Sequence, residues 1–156
     1  MTLPPEWRDL IASLSSHRVR FLIVGAHALA AHGRPRATQD LDVFVDPTVA
    51  NARRLGAALA EYGYPALARQ WKRFTERDRM ATLGVEPLRI DLLTSISGVT
   101  FRDAWRGRIR VTIADREIGF LGRAELVANK RASGRTKDLL DLALLDEVAP
   151  RPRRRR

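Results

Sequence analysis

Two aspartates one residue apart, Asp40 and Asp42, sit in the stretch Gln39-Asp40-Leu41-Asp42-Val43-Phe44-Val45. Its alternation and its β-branched and aromatic content predict a strand over residues 39–45. Side chains two apart on a strand share a face, so the two carboxylates point one way and Leu41, Val43 and Val45 the other. Like charges so placed repel unless a cation bridges them or water solvates them. Magnesium suits the pair, because it prefers carboxylate oxygens and shares its shell with substrate phosphates. An exposed polar face at the end of an edge strand would account for the same tripeptide. An EF-hand is excluded, since Phe44 and Val45 stand where a calcium loop needs an oxygen ligand and a glycine.

A third acid, Asp91, lies inside the apolar run Leu88-Arg89-Ile90-Asp91-Leu92-Leu93. An aspartate there is costly to bury unless it is paired or bound to a metal. Either a salt bridge to Arg89 or Arg36, or a metal shared with Asp40 and Asp42, would satisfy it. In the second case the three carboxylates could hold two magnesium ions and orient an attacking hydroxyl. Upstream, Val24-Gly25-Ala26-His27-Ala28 puts a glycine between a strand and a helix start, where backbone N–H groups can cradle phosphate. The spacing is neither a dinucleotide-binding nor a P-loop fingerprint.

The elements that must position these residues read as follows. Glu6 to Ser16 has helical spacing through Trp7, Leu10, Ile11 and Leu14. Phe21 to Val24 is a buried strand, and Ala26 to His32 a helix closed by Gly33. Asp46 or Thr48 caps a helix running to Tyr62. Residues 66–79 fit no pattern. Met80 to Leu83 and Leu88 to Leu93 are strands, and 97–105 is a short helix or a loop. Ile109 to Ile113 and Glu117 to Leu121 form a hairpin. Arg123 to Ala132 and Thr136 to Val148 are helices broken near Ser133-Gly134. Together these give a mixed α/β or α+β domain with helices around a small sheet.

The string Phe21 to Gly33, followed by Arg34, Arg36-Ala37-Thr38 and Asp40-Leu41-Asp42, resembles the core of the nucleotidyltransferase superfamily, whose fold is polymerase β-like. That superfamily shares a strand, a Gly-Gly or Gly-Ser turn, a helix, an Arg-x-Thr-x-Asp-x-Asp approach and a third acid on a later strand, which Asp91 matches. Within it, the chain resembles small bacterial proteins related to AbiEii-type toxins of toxin–antitoxin systems. Those carry a late helical motif similar to Leu126-Val127-Ala128-Asn129-Lys130 and Arg135-Thr136-Lys137-Asp138-Leu139-Leu140-Asp141. The resemblance spans Arg20 to Leu145. One departure stands out: position 26 is alanine, where active members carry serine or a second glycine, so only a backbone N–H is offered there.

The resemblance implies that Asp40, Asp42 and Asp91 hold metal, with Asp91 third ligand or general base. It also implies that Gly25 and Ala26 cradle phosphate. Lys130 and Lys137 would meet the triphosphate, Asp138 would position Lys130 or Arg135, and Arg36 and Thr38 would lie on the approach. A charged helix face with Lys137 and Asp141 paired at i,i+4 would explain the late motif as well. The implied activity is magnesium-dependent transfer of a nucleotidyl group from an NTP to RNA (such as tRNA), a protein or a small molecule. The alternative is a nucleotide- or RNA-binding module that has lost turnover, and a cognate antitoxin is a further implied partner.

Composition bounds the rest. With 156 residues the chain suits one domain, expected over 1–150. Basic residues exceed acidic ones by 28 to 18, and the tail Arg151 to Arg156 supplies five of the arginines. The tail is expected to be disordered, and either solvated or a grip on polyanions. No apolar run approaches the roughly 20 residues of a membrane span. The start lacks a basic stretch followed by an apolar one, so no signal peptide is expected. Cysteine is absent, which excludes disulfides and fits a cytoplasmic location. His17, His27 and His32 are expected to be surface or internally satisfied groups, and Trp71 and Trp105 packing residues.

Overall fold

The computed structural model describes residues 1–35 and 37–146. Helix α1 (Pro5–Ser16) turns Trp7, Leu10, Ile11 and Leu14 inward, and Pro5 opens it where no N–H is needed. Strand β1 (Phe21–Val24) is buried along its whole length and passes without a loop into α2 (Gly25–Ala31). Strand β2 (Asp40–Val45) leads to α3 (Val49–Tyr62), whose N-terminus is capped by the Thr48 side chain accepting from the Asn51 N–H.

Residues 66–79 fold into a short helix α4 (Pro65–Arg69) and a 3-10 turn over Trp71–Thr75. Sequence periodicity cannot show elements this short. They are held by tertiary packing: Phe74 is fully buried, and Arg53 of α3 lies 5.0 Å from the Trp71 ring centre. Strands β3 (Met80–Leu83) and β4 (Arg89–Leu93) follow, then α5 (Phe101–Gly107), capped by Thr100. Strands β5 (Ile109–Ile113) and β6 (Arg116–Phe120) form the expected hairpin. Its two turn residues, Ala114 and Asp115, both have positive φ, the geometry that matches strand twist. Helices α6 (Arg123–Ser133) and α7 (Thr136–Asp146) are separated by Gly134 in the left-handed region. The expected end of α7 at Val148, the basic tail and Arg36 lie outside the described residues.

The strands form one mixed six-stranded sheet in the order β3-β4-β2-β1-β6-β5, flanked by helices. β1 runs antiparallel to β2 and parallel to β6, while β2 and β4 are parallel. Leu22, Ile23, Leu41, Val43, Leu55, Leu59 and Phe120 have no accessible surface and form the centre of the core. Because β1 is antiparallel to β2, its C-terminal residue Val24 lies beside Asp42. Because β2 and β4 are parallel, Asp42 also lies beside Asp91. The sheet therefore gathers the end of β1, the acidic start of β2 and the middle of β4 at one edge of the molecule. Among the described residues no helix is long and apolar enough to cross a membrane.

At the opposite end of β1 and β2 the buried Asn51 closes the structure. Its Oδ1 accepts from the Arg20 N–H at 2.7 Å, and its Nδ2 donates to the carbonyls of Arg20 (3.0 Å) and Asp46 (2.9 Å). One side chain thus ties the start of β1, the end of β2 and the first turn of α3. Removing it leaves several buried backbone groups unpaired. Asn51→Ala is expected to lower the unfolding free energy by about 2–4 kcal/mol in urea titrations.

Candidate functional site

Asp40 and Asp42 are half-buried on one face of β2, with Leu41 fully buried between them on the other. Asp91 stands in register with Asp42, and Arg89 with Asp40, on the neighbouring parallel strand. The four side chains therefore share one face. The guanidinium of Arg89 lies among the acids: it donates to Asp40 Oδ2 at 2.7 Å and approaches Asp91 Oδ2 at 3.4 Å. Asp91 is buried, and its Oδ1 accepts from the Thr82 hydroxyl of β3 at 2.8 Å. Asp91 is thus paired with Arg89 and Thr82, and it also stands beside Asp42 on the same face.

Asp42 is the acid least provided for. Burial, then the charges of Asp91 and Asp40, push its carboxyl up to about 6, against a smaller pull from Arg89 and Lys137. Beside it lies Gly25, held at φ +67°. A Cβ on Gly25 would fall 2.3 Å from Asp42 Oδ2. Glycine at position 25 is therefore required twice over, by its backbone conformation and by the approach of Asp42. Ala26 is half-buried behind it. The hydroxyl of Thr38 is 3.3 Å from the backbone N–H of Asp40, which places Thr38 at the entry to β2.

A groove of about 390 Å³ opens at this edge, with Gly25, Asp42, Arg77, Asn129, Lys130 and Arg135 among its lining residues. A larger cavity of about 510 Å³, between Arg20, Asp46, Phe101 and Trp105, lies at the other end of β1 and β2 and contains none of these carboxylates. The groove, and not this larger cavity, is the one that Asp42 and Gly25 line.

The late motif is built differently from a charged helix face. Lys130 is buried, with Nζ 3.1 Å from Asp138 Oδ1 and 2.9 Å from Asp141 Oδ2. Asp138, fully buried, also accepts from the Ser133 hydroxyl at 2.7 Å and from Arg135 Nε at 2.8 Å. Burial pushes the Asp138 carboxyl up, but the bonds from Ser133, Arg135 and Lys130 outweigh it and hold the group well below the usual carboxylate range. Asp141 thus pairs with Lys130 across the α6–α7 joint rather than lying exposed beside Lys137. Lys130 reaches the groove wall with its charge already engaged. Lys137 is exposed, and its charge is felt at Asp42. Arg36, expected on the approach, lies outside the described residues.

The donor set fits a hard divalent cation. It consists of carboxylate oxygens, and Asp40 Oδ1 is buried without a hydrogen-bond partner. Among the described residues, however, no three acidic or imidazole side chains are drawn together as a ready metal cluster. The guanidinium of Arg89 instead lies against Asp40 and Asp91. Sequence reasoning passed over Thr82 and Arg77. Thr82 is identified only by the β3–β4 register, and Arg77 belongs to the stretch that has no pattern. His32 Nε2 meets the Leu121 carbonyl at 2.9 Å, His17 contacts Glu61, and His27 packs edge-on against Trp7, so each has a structural role.

Two outcomes follow from these charges. An acid with a folded-state pKa above its ordinary 3.8 stabilises the fold below that value, and the gain is lost as pH rises through about 6. Asp42→Asn should therefore flatten stability against pH across that window. At pH 7 without divalent metal it should be more stable than wild type by on the order of 1–3 kcal/mol, read from urea unfolding at a series of pH values. Lys130→Met leaves Asp138 and Asp141 buried without their shared cation and should cost about 3 kcal/mol in the same assay. No known protein-family profile matches this chain, and no curated protein matches it.

Proposed function

We propose that the chain is a divalent-metal-dependent nucleotidyltransferase. The supporting observation is the register that sets Asp91 beside Asp42 on adjacent parallel strands, with Asp40 on the same face and Gly25 opened for close approach. Combined with the sequence resemblance, this face of the sheet is read as the polymerase β-like carboxylate site. Asp40, Asp42 and Asp91 would hold magnesium, which when bound neutralises charge on the phosphates and on the departing pyrophosphate.

The chain's own residues supply the rest. The N–H groups of Gly25 and Ala26 would cradle the phosphates, and the exposed Lys137 would add a positive charge that is felt at Asp42. Asp42, which lines the groove, is better placed than the buried Asp91 to take the proton of an acceptor hydroxyl. The deprotonated oxygen bonds to the α-phosphorus, the bond to the β-phosphate oxygen breaks, and pyrophosphate leaves. Positioning and electrostatics supply most of the rate. The acceptor is an RNA end, a protein hydroxyl or a small molecule, and the excess of basic residues favours RNA.

A second reading is a nucleotide- or RNA-binding module without turnover. Two observations favour it: Ala26 offers no hydroxyl to the phosphates, and Lys130 is committed to Asp138 and Asp141. A pyrophosphate-release assay with each NTP, magnesium and total RNA separates the two. The transferase reading expects release by wild type and a fall of at least about 100-fold in Asp42→Ala. Magnesium-dependent nucleotide binding without any release, across RNA, protein and small-molecule acceptors, would establish the binding module instead.

A further inference from the structure

Among the described residues, Arg89 is the cation set directly among the three acids. Its guanidinium donates to Asp40 at 2.7 Å and lies 3.4 Å from Asp91, the two strands holding it in register opposite Asp40. Its Nε is buried without a partner. A guanidinium satisfied at every N–H would be a structural strut. This one is bonded on the side of the acids and left incomplete on the other. On its far side, Nη1 stands 3.8 Å from the exposed carboxylate of Glu86, in the turn between β3 and β4. That distance is too long for a hydrogen bond and short enough for Arg89 to reach by a change of rotamer.

We propose that Arg89 is a resident counter-cation that occupies the carboxylate site in the metal-free protein and must move toward Glu86 for a divalent ion to bind. The inference rests on the metal-site reading above and adds a competition within it. The geometry gives both end points. With Arg89 inward, Asp40 and Asp91 are neutralised, their repulsion is relieved and no three-acid cluster is free to ligate. With Arg89 outward, the orphaned Oδ1 of Asp40 and the oxygens of Asp91 and Asp42 become available to one hard cation, and Glu86 receives the guanidinium. Arginine suits this role because its guanidinium is always charged and presents several donors, so that Nη2 can meet Asp40 and Asp91 while Nη1 faces Glu86. A site held by an internal competitor binds its ion more weakly by the fraction of molecules in which it is free. Arg89 therefore sets metal affinity without being a ligand or touching substrate.

The test is calorimetric titration of the full chain with Mn²⁺, in wild type, Arg89→Met, Arg89→Lys and Glu86→Gln, with thermal unfolding of each with and without the ion. Arg89→Met is expected to bind Mn²⁺ about 10-fold more tightly than wild type, as a site occupied by Arg89 in some nine molecules of ten requires. Its melting temperature without metal should fall below wild type, and Mn²⁺ should raise it by more than it raises wild type's. A purely structural Arg89 would give the fall without the tighter binding. Arg89→Lys should bind more tightly than wild type by a smaller factor, and it serves as the test should the Met variant fail to fold. Glu86→Gln should weaken binding by a factor of about 2–3, because the displaced guanidinium loses its landing point. Equal or weaker binding by Arg89→Met and Arg89→Lys, with wild type still binding, overturns the competition and leaves the metal site standing. Absence of Mn²⁺ binding in wild type and every variant overturns both.

Discussion

Three carboxylates share one face of the interior strands β2 and β4, and the cost of that placement organises much around it. Asp42 and Asp91 are adjacent because β2 and β4 are parallel and in register, and Asp40 is two residues along the same face. Left to themselves these charges would destabilise the two strands. The structure answers with Arg89 for Asp40 and Asp91, with the Thr82 hydroxyl for Asp91, and with a raised pKa for Asp42. The leftover cost falls on Asp42, the acid that faces the groove.

Gly25 links that face to the core. β1 is buried throughout, so its backbone cannot shift, and the chain must turn into α2 at once. The turn needs a positive φ, and the Asp42 carboxylate fills the space a Cβ would take. The glycine that follows the buried strand thus packs directly against the acid. At the other end of the same strands, Asn51 performs the matching task by bonding the backbone of Arg20 and Asp46. The two ends of β1 and β2 are therefore pinned by different means, a steric contact and a hydrogen-bonded side chain.

The joint between α6 and α7 is the second charged centre. Lys130, Asp138 and Asp141 are buried together, with Ser133 and Arg135 completing Asp138. Such a buried cluster owes its stability to complete pairing, because each charge would be expensive alone. It fixes the angle between the helices and sets one wall of the groove. α7 turns Asp138 and Asp141 inward together with Leu145, while Leu139 and Leu140 face solvent. Arg34 ties the far end of α7 to the loop before β2, through a bond from its Nε to the Leu144 carbonyl at 3.1 Å.

The residue pattern alone determined the local elements whose signals are local. These are the 3.6-residue spacing of α1, the apolar run of β1, the glycine after it, the alternation of β2, the hairpin of β5 and β6, and the break at Gly134. It also showed that Asp40 and Asp42 share a face, because strand alternation is a property of one strand. It did not show the partners across strands. Whether Asp91 met the other acids or an arginine depended on the β2–β4 register, which joins residues some fifty positions apart, and the structure showed that both occur. The short helix and 3-10 turn of residues 65–75 escaped detection because packing against α3, rather than any periodicity, holds them. The inward turn of Lys130, Asp138 and Asp141 was equally invisible, since i,i+4 spacing describes an exposed helix and a buried ion cluster alike. Only the burial of the α6–α7 joint distinguishes them, and burial is a property of the assembled fold.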